Sequence, residues 1–202
     1  MRIVIEGIWG SLVDSLVDKI IKDQAIPYDR VRLSIPPPPF NGIRGWTYAL
    51  TENMRTWREH EDHEGEVILF QHSVWSSYAF ARSIIGDSQL EKDEIDLFRE
   101  MTEGIAEVHS LPDFIFYCHT FPETALQRLK DTDSICAELT EQDLSNTSYS
   151  MVEWLDEMRG RGVKVVEFPP PYKADMETWN QYAINTLQKV FNNFGVIDGT
   201  TD

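Results

Sequence analysis

Short runs of β-branched and aromatic residues alternate with longer amphipathic stretches along the chain. The short runs, typical of strands, are Arg2–Glu6, Val31–Ile35, Val67–Phe70, Phe114–Tyr117 and Val163–Phe168. The stretches with apolar residues at helical spacing are Ser11–Lys22, Trp46–Glu59, Val74–Ile85, Gln89–Val108, Pro122–Lys130, Leu144–Met158 and Met176–Phe191. Strands that alternate with helices in this way predict an α/β fold with a parallel sheet of five strands and helices on both faces.

The remaining segments complete this picture of a single domain over residues 1–202. Ser11 is the expected N-cap of the first helix, and Pro122 is expected at the start of the fifth. The polar segment Asp131–Asp143 is predicted to form a short lid, and the chain from Asn192 a frayed tail.

The charge balance excludes two classes of partner. The 202 residues include 18 basic and 34 acidic side chains, a formal net charge of −16. Binding to nucleic acid or to an anionic membrane needs a basic surface, so we expect neither partner. The two cysteines, Cys118 and Cys136, exclude a disulfide framework and a cysteine zinc site. Because no leader or membrane-spanning segment is evident, we expect a cytoplasmic protein.

The topology also predicts where a ligand would bind. In parallel α/β sheets, ligands lie beyond the carboxyl ends of the strands. Four segments follow strands in this sequence and should converge there: Gly7–Ser15, Ile35–Pro39, Gln71–Ser77 and His119–Pro122.

Several of these segments resemble those of one enzyme group. The stretches are IVIEGIWGS, VILFQHSVWSSYAFA, PDFIFYCHTFPETALQRLK, EQDLSNTSYSMVEWL and VKVVEF, in that order. Their sequence and spacing resemble the thymidylate kinase and deoxynucleoside kinase group of P-loop kinases over nearly the whole chain. The resemblance implies a P-loop NTPase-like three-layer fold with a short lid and, as in relatives that dimerise through helices, self-association.

The phosphate-binding loop departs from the pattern of that group. The motif G-x-x-x-x-G-K-[ST] uses backbone N–H groups and a lysine to hold phosphates. Aligned on Gly7, this chain has Leu12 at the second glycine, Val13 at the lysine and Asp14 at the Mg²⁺-binding hydroxyl. The residues that we assign to the corresponding loop are Gly7, Trp9, Gly10, Ser11, Asp14 and Ser15.

Other positions that the resemblance makes functional have also changed. Ser34-Ile35-Pro36 lacks the carboxylate that acts on the phosphoryl acceptor, and Gln71-His72 replaces an Asp-Arg pair. The lid sequence DTDSICAELTE has no arginine, and Lys130 stands at its edge. Phosphoryl transfer depends on such groups for electrostatic stabilisation. We therefore assign no cofactor to this chain, and we expect ATP and Mg²⁺ only if the site is active.

Individual residues in these segments allow two interpretations. Gly7 and Gly10 either form only a tight turn or retain anion binding at a helix N-terminus. Trp9 either packs in the core or stacks on a base. His72 and His119, expected at the ends of neighbouring strands, are candidate acid–base groups, against the simpler interpretation of hydrogen-bonded polar residues.

Candidate residues for a nucleoside pocket are Trp46, Arg55, Gln71 and Trp75, with core packing as the default for the tryptophans. His60 and His63 have a spacing compatible with a metal, but nothing else in the sequence fixes a coordination geometry, so we predict no metal site.

Three functional hypotheses follow from these observations. The first is a degenerate relative of these kinases that binds a nucleoside, a nucleotide or a protein partner without normal phosphoryl transfer. The second is an active deoxynucleoside or deoxynucleoside-monophosphate kinase with an atypical phosphate loop. The third is a structural or regulatory module without a small ligand, which associates with itself or with another protein.

Overall fold

The computed structural model describes residues 1–34, 42–60, 66–83, 92–132, 134–171 and 176–193. The strands are β1 (Arg2–Glu6), β2 (Val31–Leu33), β3 (Ile68–Gln71), β4 (Phe114–Cys118) and β5 (Lys164–Phe168). The α-helices are α1 (Val13–Lys22), α2 (Gly42–Arg58), α3 (Ser77–Ser83), α4 (Lys92–Val108), α5 (Pro122–Asp131), α6 (Glu141–Gly160) and α7 (Met176–Asn193). All strand pairs are parallel, in the order β2-β3-β1-β4-β5. The predicted five-stranded parallel sheet is confirmed.

The sheet is the middle of three layers, because side chains alternate between its two faces along each strand. Ile3 and Ile5 of β1 join one apolar cluster with side chains of α1 and α7. Val4 points the other way, into a second cluster with side chains of α2 to α6. Strands covered on both faces explain the nearly continuous apolar runs in the sequence.

The helix boundaries differ from the prediction where local hydrogen bonds decide them. Helix α1 begins at Val13, and Leu12 occupies its N-cap position without a side-chain bond, so the expectation that Ser11 caps this helix was wrong. Helix α6 begins three residues earlier than predicted, because Thr140 and Asp143 form a capping box. Pro122 starts α5 as expected.

The predicted lid and tail are only partly covered by the described residues. The lid segment contains a short 3-10 turn, Ile135–Glu138, and its Cys136 and Leu139 side chains are buried in the second cluster. The lid function of this segment stays a prediction. Helix α7 continues through Asn193, and the rest of the tail predicted from Asn192 lies outside the described residues.

Candidate functional site

The loop between β1 and α1, residues 7–12, lies at the carboxyl edge of the sheet. Gly10 has a positive φ of 71°. A Cβ there would overlap the Ala125 carbonyl oxygen and come within 2.8 Å of Leu129 Cγ. Glycine is therefore required at this point both for the backbone conformation and for the close approach of α5.

We expect Gly10→Ala to destabilise the fold by about 2–4 kcal/mol, the sum of backbone strain and overlap with α5. Gly162→Ala is the matched control, since Gly162 also has a positive φ, 90°, but a Cβ there meets nothing within 4 Å. That variant should lose about 1 kcal/mol. Denaturant unfolding measures the free energy of unfolding of both variants. Equal losses would show that the close contact with α5 does not contribute to the effect of a Cβ at Gly10.

Most side chains of this loop are directed into the protein. Ile8 and Trp9 are buried in the cluster under α2 to α6, and Leu12 is buried against α1 and α7. The Ser11 N–H donates to the Ile8 carbonyl at 3.0 Å. The Ser11 side chain lies directly against Gly7, where a Cβ would come within 2.5 Å of Ser11 Oγ. The loop is thus a compact turn whose interior is filled by its own residues.

A buried acid that the sequence analysis missed lies beside this loop. Glu6, the last residue of β1, has no exposed surface. Its Oε1 accepts a hydrogen bond from Ser73 N–H at 2.7 Å, and its Oε2 is 3.0 Å from His72 Nδ1. Because helices cover both faces of the sheet, a polar residue that ends the apolar run of β1 is buried on either face, and this could have identified Glu6 as a buried polar residue.

His72 is held in an uncommon backbone conformation by the same contacts. Its φ is 59°, in the left-handed region that histidine adopts more often than most residues. Its N–H donates to the Ile5 carbonyl at 2.9 Å, while its ring bonds to Glu6. The structure thus supports the interpretation of His72 as a buried, hydrogen-bonded residue; its candidate acid–base role stays a prediction.

His119 belongs to a separate polar group. β1 lies between β3 and β4, so the expectation that His72 and His119 follow neighbouring strands was wrong. His119 Nε2 is hydrogen-bonded to Glu167 of β5, which also pairs with Arg159. The bond with His119 is the main reason that the pKa of Glu167 is lowered; Arg159 acts in the same direction and burial opposes both.

The lowered pKa of Glu167 predicts a small loss of stability in acid. A carboxyl whose pKa falls on folding stabilises the protein above its unfolded value of about 4.3, and this contribution is lost as the pH falls through the folded pKa. Its side chain is 39 % exposed, so we expect Glu167→Gln to cost less than about 1 kcal/mol at neutral pH. Urea midpoints measured from about pH 7 to pH 3 should decline less in this variant than in the parent protein. An identical decline in the two proteins would show that Glu167 does not contribute to the acid dependence of stability. Glu177→Gln, which changes a more exposed carboxyl, is the control.

Two further candidates from the sequence are joined across the carboxyl edge. Asp14, in the first turn of α1, accepts a hydrogen bond from Gln71 Nε2 at the end of β3. Ser15, the next residue, is exposed. The contact brings the carboxylate at the start of α1 to the end of β3, next to the Glu6–His72 pair.

The four residues assigned to a nucleoside pocket are not brought together. Trp46 is fully buried, in edge contact with Trp9 and Phe98. Trp75 is buried against Trp57 and borders a cavity of about 50 Å³, small beside the roughly 300–1,000 Å³ typical of ligand sites. Gln71 makes the contact with Asp14 described above.

Arg55 lies on the outside of α2 and is paired with carboxylates of the same helix. Its guanidinium bonds to Glu52 at 2.9 Å and to Glu59 at 2.8 Å. These surface pairs raise its pKa, the Glu52 hydrogen bond contributing most. In this arrangement Arg55 does not face the other three candidates, whose contacts lie in the core or at the end of β3.

The solved structures that share the architecture of this chain include three of deoxyadenosine kinase from M. mycoides. The structure with bound dATP is 14 % identical in sequence, matches 93 % of this chain and 99 % of its own, and has a TM-score of 0.72. Those with the products dCMP and dCDP and with dCTP are also 14 % identical; each matches 94 % of this chain and all of its own, with TM-scores of 0.71 and 0.70. No protein-family model and no curated protein matches the sequence. This chain has a deoxynucleoside kinase-like P-loop fold.

In this kinase-like fold, the loop at residues 7–12 connects β1 to α1, the place where P-loops hold phosphate. Val13, which the sequence alignment on Gly7 predicts at the lysine position of the motif, is buried, and its Cγ2 would lie 3.0 Å from a Cβ on Gly7. Arg128 of α5 also contacts this loop, and its Nη1 donates to the Gly10 carbonyl at 3.4 Å. Burial lowers the pKa of Arg128.

No group of three or more His, Cys, Asp or Glu side chains within the described part of the chain is arranged to hold a metal ion. His60 Nε2 instead accepts a hydrogen bond from Arg32, and His63 lies outside the described residues. The described helices are also not long and apolar enough to cross a membrane.

Proposed function

We propose that this protein uses its kinase-like fold for binding and does not catalyse ATP-dependent phosphoryl transfer. The start of α1 carries the proposal. Val13, at the lysine position, is buried, and Asp14, at the hydroxyl position, presents a carboxylate that is bonded to Gln71.

The chemistry of phosphoryl transfer explains why these two residues matter. A lysine at this position neutralises charge on the terminal phosphates, and the hydroxyl helps to hold Mg²⁺. Val13 supplies no charge, and Asp14 adds a negative charge beside the triphosphate. Losing one electrostatic contact of this kind costs about 3–4 kcal/mol of transition-state stabilisation, roughly a factor of 10²–10³ in rate.

The loop geometry supports the same conclusion. Backbone N–H groups can cradle a phosphate only where the loop leaves space for it. In this chain Ser11 packs against Gly7, and the Ser11 N–H is already bonded to the Ile8 carbonyl. Trp9 is inserted between Trp46 and Phe80, with ring centroids 6.4 and 4.7 Å away.

The first candidate ligand is a nucleoside or nucleotide at the carboxyl edge of the sheet. The fold supports it, since the similar kinase structures contain dATP, dCTP, or dCMP and dCDP. A protein partner is the second candidate, favoured by the exposed apolar residues of α4, among them Leu97 and Val108.

A phosphotransfer assay tests the loss of catalysis directly. The purified protein is incubated with ATP, Mg²⁺ and each deoxynucleoside or deoxynucleoside monophosphate, and product is separated by chromatography. We expect no product above the background of a protein-free control. If product forms, Asp14→Ala is assayed in parallel, because a rate that changes with this substitution belongs to the protein and would overturn the proposal. A rate that does not change is contamination only if its specific activity falls on further purification; a constant specific activity would also overturn the proposal.

Calorimetric titration then distinguishes the two ligand classes. ATP, dATP, dCTP, thymidine and dTMP are each titrated with and without Mg²⁺. Micromolar binding without turnover would support a nucleotide-binding protein. If none of these compounds gives a heat of binding, they are excluded as ligands and the protein-partner candidate remains.

A further inference from the structure

The outer face of helix α4 carries an exposed apolar stripe. Leu97, Met101, Gly104 and Val108 are spaced by four, three and four residues, which places them on one side of the helix. Leu97 is 52 % and Val108 75 % exposed, and a Cβ added to Gly104 would meet no atom within 4 Å. These four residues are called the α4 stripe below.

The opposite side of α4 already fixes the helix to the protein. Ile95 and Phe98 are buried in the cluster beneath α2 to α6, and Phe98 contacts Trp46 with ring centroids 5.7 Å apart. Thr102, also buried, donates its hydroxyl to the Phe98 carbonyl. The α4 stripe is therefore not needed to hold α4 in place, and its spacing is that of the a and d positions of a helix-pairing heptad.

Charge decides what kind of helix fits against this stripe. Asp93, Glu100 and Glu107 recur every seven residues along one flank of it, at the heptad position g, and all three are exposed. Residues 92–108 contain two basic and six acidic side chains, a net charge of −4. In an antiparallel pair of helices the g positions of the two partners face each other.

These observations disfavour a second copy of the chain as the occupant. Antiparallel pairing of two α4 helices would place one acidic flank against the other, and each copy carries a net charge of −16. Like charges across such a seam are repulsive, whereas lysine or arginine at the facing positions would form ion pairs. Gly104 lets the partner backbone approach closely at the middle of the stripe.

We propose that the α4 stripe binds a basic amphipathic helix of a partner protein, with apolar residues at a and d and lysine or arginine beside them. This inference deepens the protein-partner candidate of the proposed function. It does not depend on the residues of the β1–α1 loop.

Three synthetic peptides of about 20 residues serve as probes. The first has leucine at a and d and lysine at the flanking positions. The second keeps the leucines and replaces each lysine by glutamate, and the third keeps the lysines and replaces each leucine by serine. Fluorescence anisotropy measures the binding of each labelled peptide to the full chain, and sedimentation velocity measures self-association of the chain alone.

Two variants of the chain locate the binding. Leu97→Gln with Val108→Gln removes the ends of the α4 stripe, and Glu100→Lys with Glu107→Lys reverses its acidic flank. Tyr182→Gln is the matched control, because Tyr182 on α7 is 53 % exposed and remote in sequence from α4. Circular dichroism melting verifies that each variant is folded, and Leu97→Ala with Val108→Ala replaces the first pair if it does not fold.

The expected result is that the chain binds the leucine–lysine peptide at least about tenfold more tightly than either other peptide, and that any self-association of the chain is unchanged by the α4 variants. Both α4 variants should weaken this binding about tenfold, and Tyr182→Gln should not change it. Equal binding of the two lysine peptides, or unchanged binding by the α4 variants, would show charge adsorption elsewhere and overturn the proposal. A dimer that dissociates on Leu97→Gln with Val108→Gln would assign the stripe to a second copy and also overturn it. None of these results depends on phosphotransfer, so the proposed loss of catalysis can fail separately.

Discussion

Replacing Trp46 with alanine is expected to reduce the free energy of unfolding by about 3–5 kcal/mol. Trp46 is fully buried on α2 and contacts the rings of Trp9 and Phe98. Removing it opens a cavity between α2, α4 and the loop after β1, which the surrounding side chains fill only partly. Guanidinium unfolding followed by circular dichroism measures the loss, with the midpoint as the readout.

The same helix provides the control for this experiment. Tyr48 lies two residues further along α2 and is 61 % exposed, so Tyr48→Ala should change stability by no more than about 0.5 kcal/mol. The comparison also separates the two interpretations of Trp46. A residue that stacks on a nucleoside would lose ligand binding while the protein stayed stable, so a loss below about 1 kcal/mol would contradict the core assignment.

The strands and most helices could be predicted from the sequence because they depend on local periodicity. All five strands were identified, within one or two residues where the structure describes them, since each is a run of apolar residues bounded by turn residues. The start of α1 was missed because Leu12 provides no side-chain cap. The start of α6 was placed too late because the Thr140–Asp143 capping box precedes its first buried residue.

The candidate site was harder to predict because its contacts join distant parts of the chain. Asp14 and Gln71 were each identified, but their hydrogen bond connects residues 57 positions apart. Glu6 and His72 are 66 positions apart, and the sequence pattern marks Glu6 only as the end of a strand. Local patterns predicted that these segments converge at the carboxyl edge; which side chains pair there depends on the register of β1 against β3.

The contacts at this edge also show how the β1–α1 loop contributes to the packing of the fold. Gly10 is fixed by α5, Trp9 by α2 and α3, and Asp14 by Gln71. Each contact uses a loop residue to join two elements of the fold. In this chain the loop therefore serves the packing of the sheet edge, a role that requires no phosphate.

Replacing Glu6 with alanine is expected to cost about 3–5 kcal/mol, a second large effect, because it leaves two buried groups without their partner. Ser73 N–H and His72 Nδ1 both bond to the Glu6 carboxyl, which has no exposed surface. Water cannot replace these bonds without opening the packing between β1 and β3. Urea unfolding at neutral pH measures the loss.

Glu6→Gln is the conservative comparison. Its amide oxygen can accept the bond from Ser73 N–H, and its amide N–H can donate to His72 Nδ1 in the tautomer that carries the ring proton on Nε2. We therefore expect a loss of about 1–2 kcal/mol, clearly smaller than that of alanine. Equal losses for glutamine and alanine would show that the hydrogen bonds of the side chain are not what stabilises this edge.

A double-mutant cycle assigns the energy to the Glu6–His72 pair. His72→Asn suits the positive φ of 59°, since asparagine also adopts the left-handed region. If the pair is coupled, the sum of the losses of Glu6→Ala and His72→Asn should exceed the loss of the double variant by about 1–3 kcal/mol, because either single substitution already breaks the shared bond. Additive losses would mean that Glu6 stabilises the edge through Ser73 alone, and would remove the reason for His72 to hold its strained backbone.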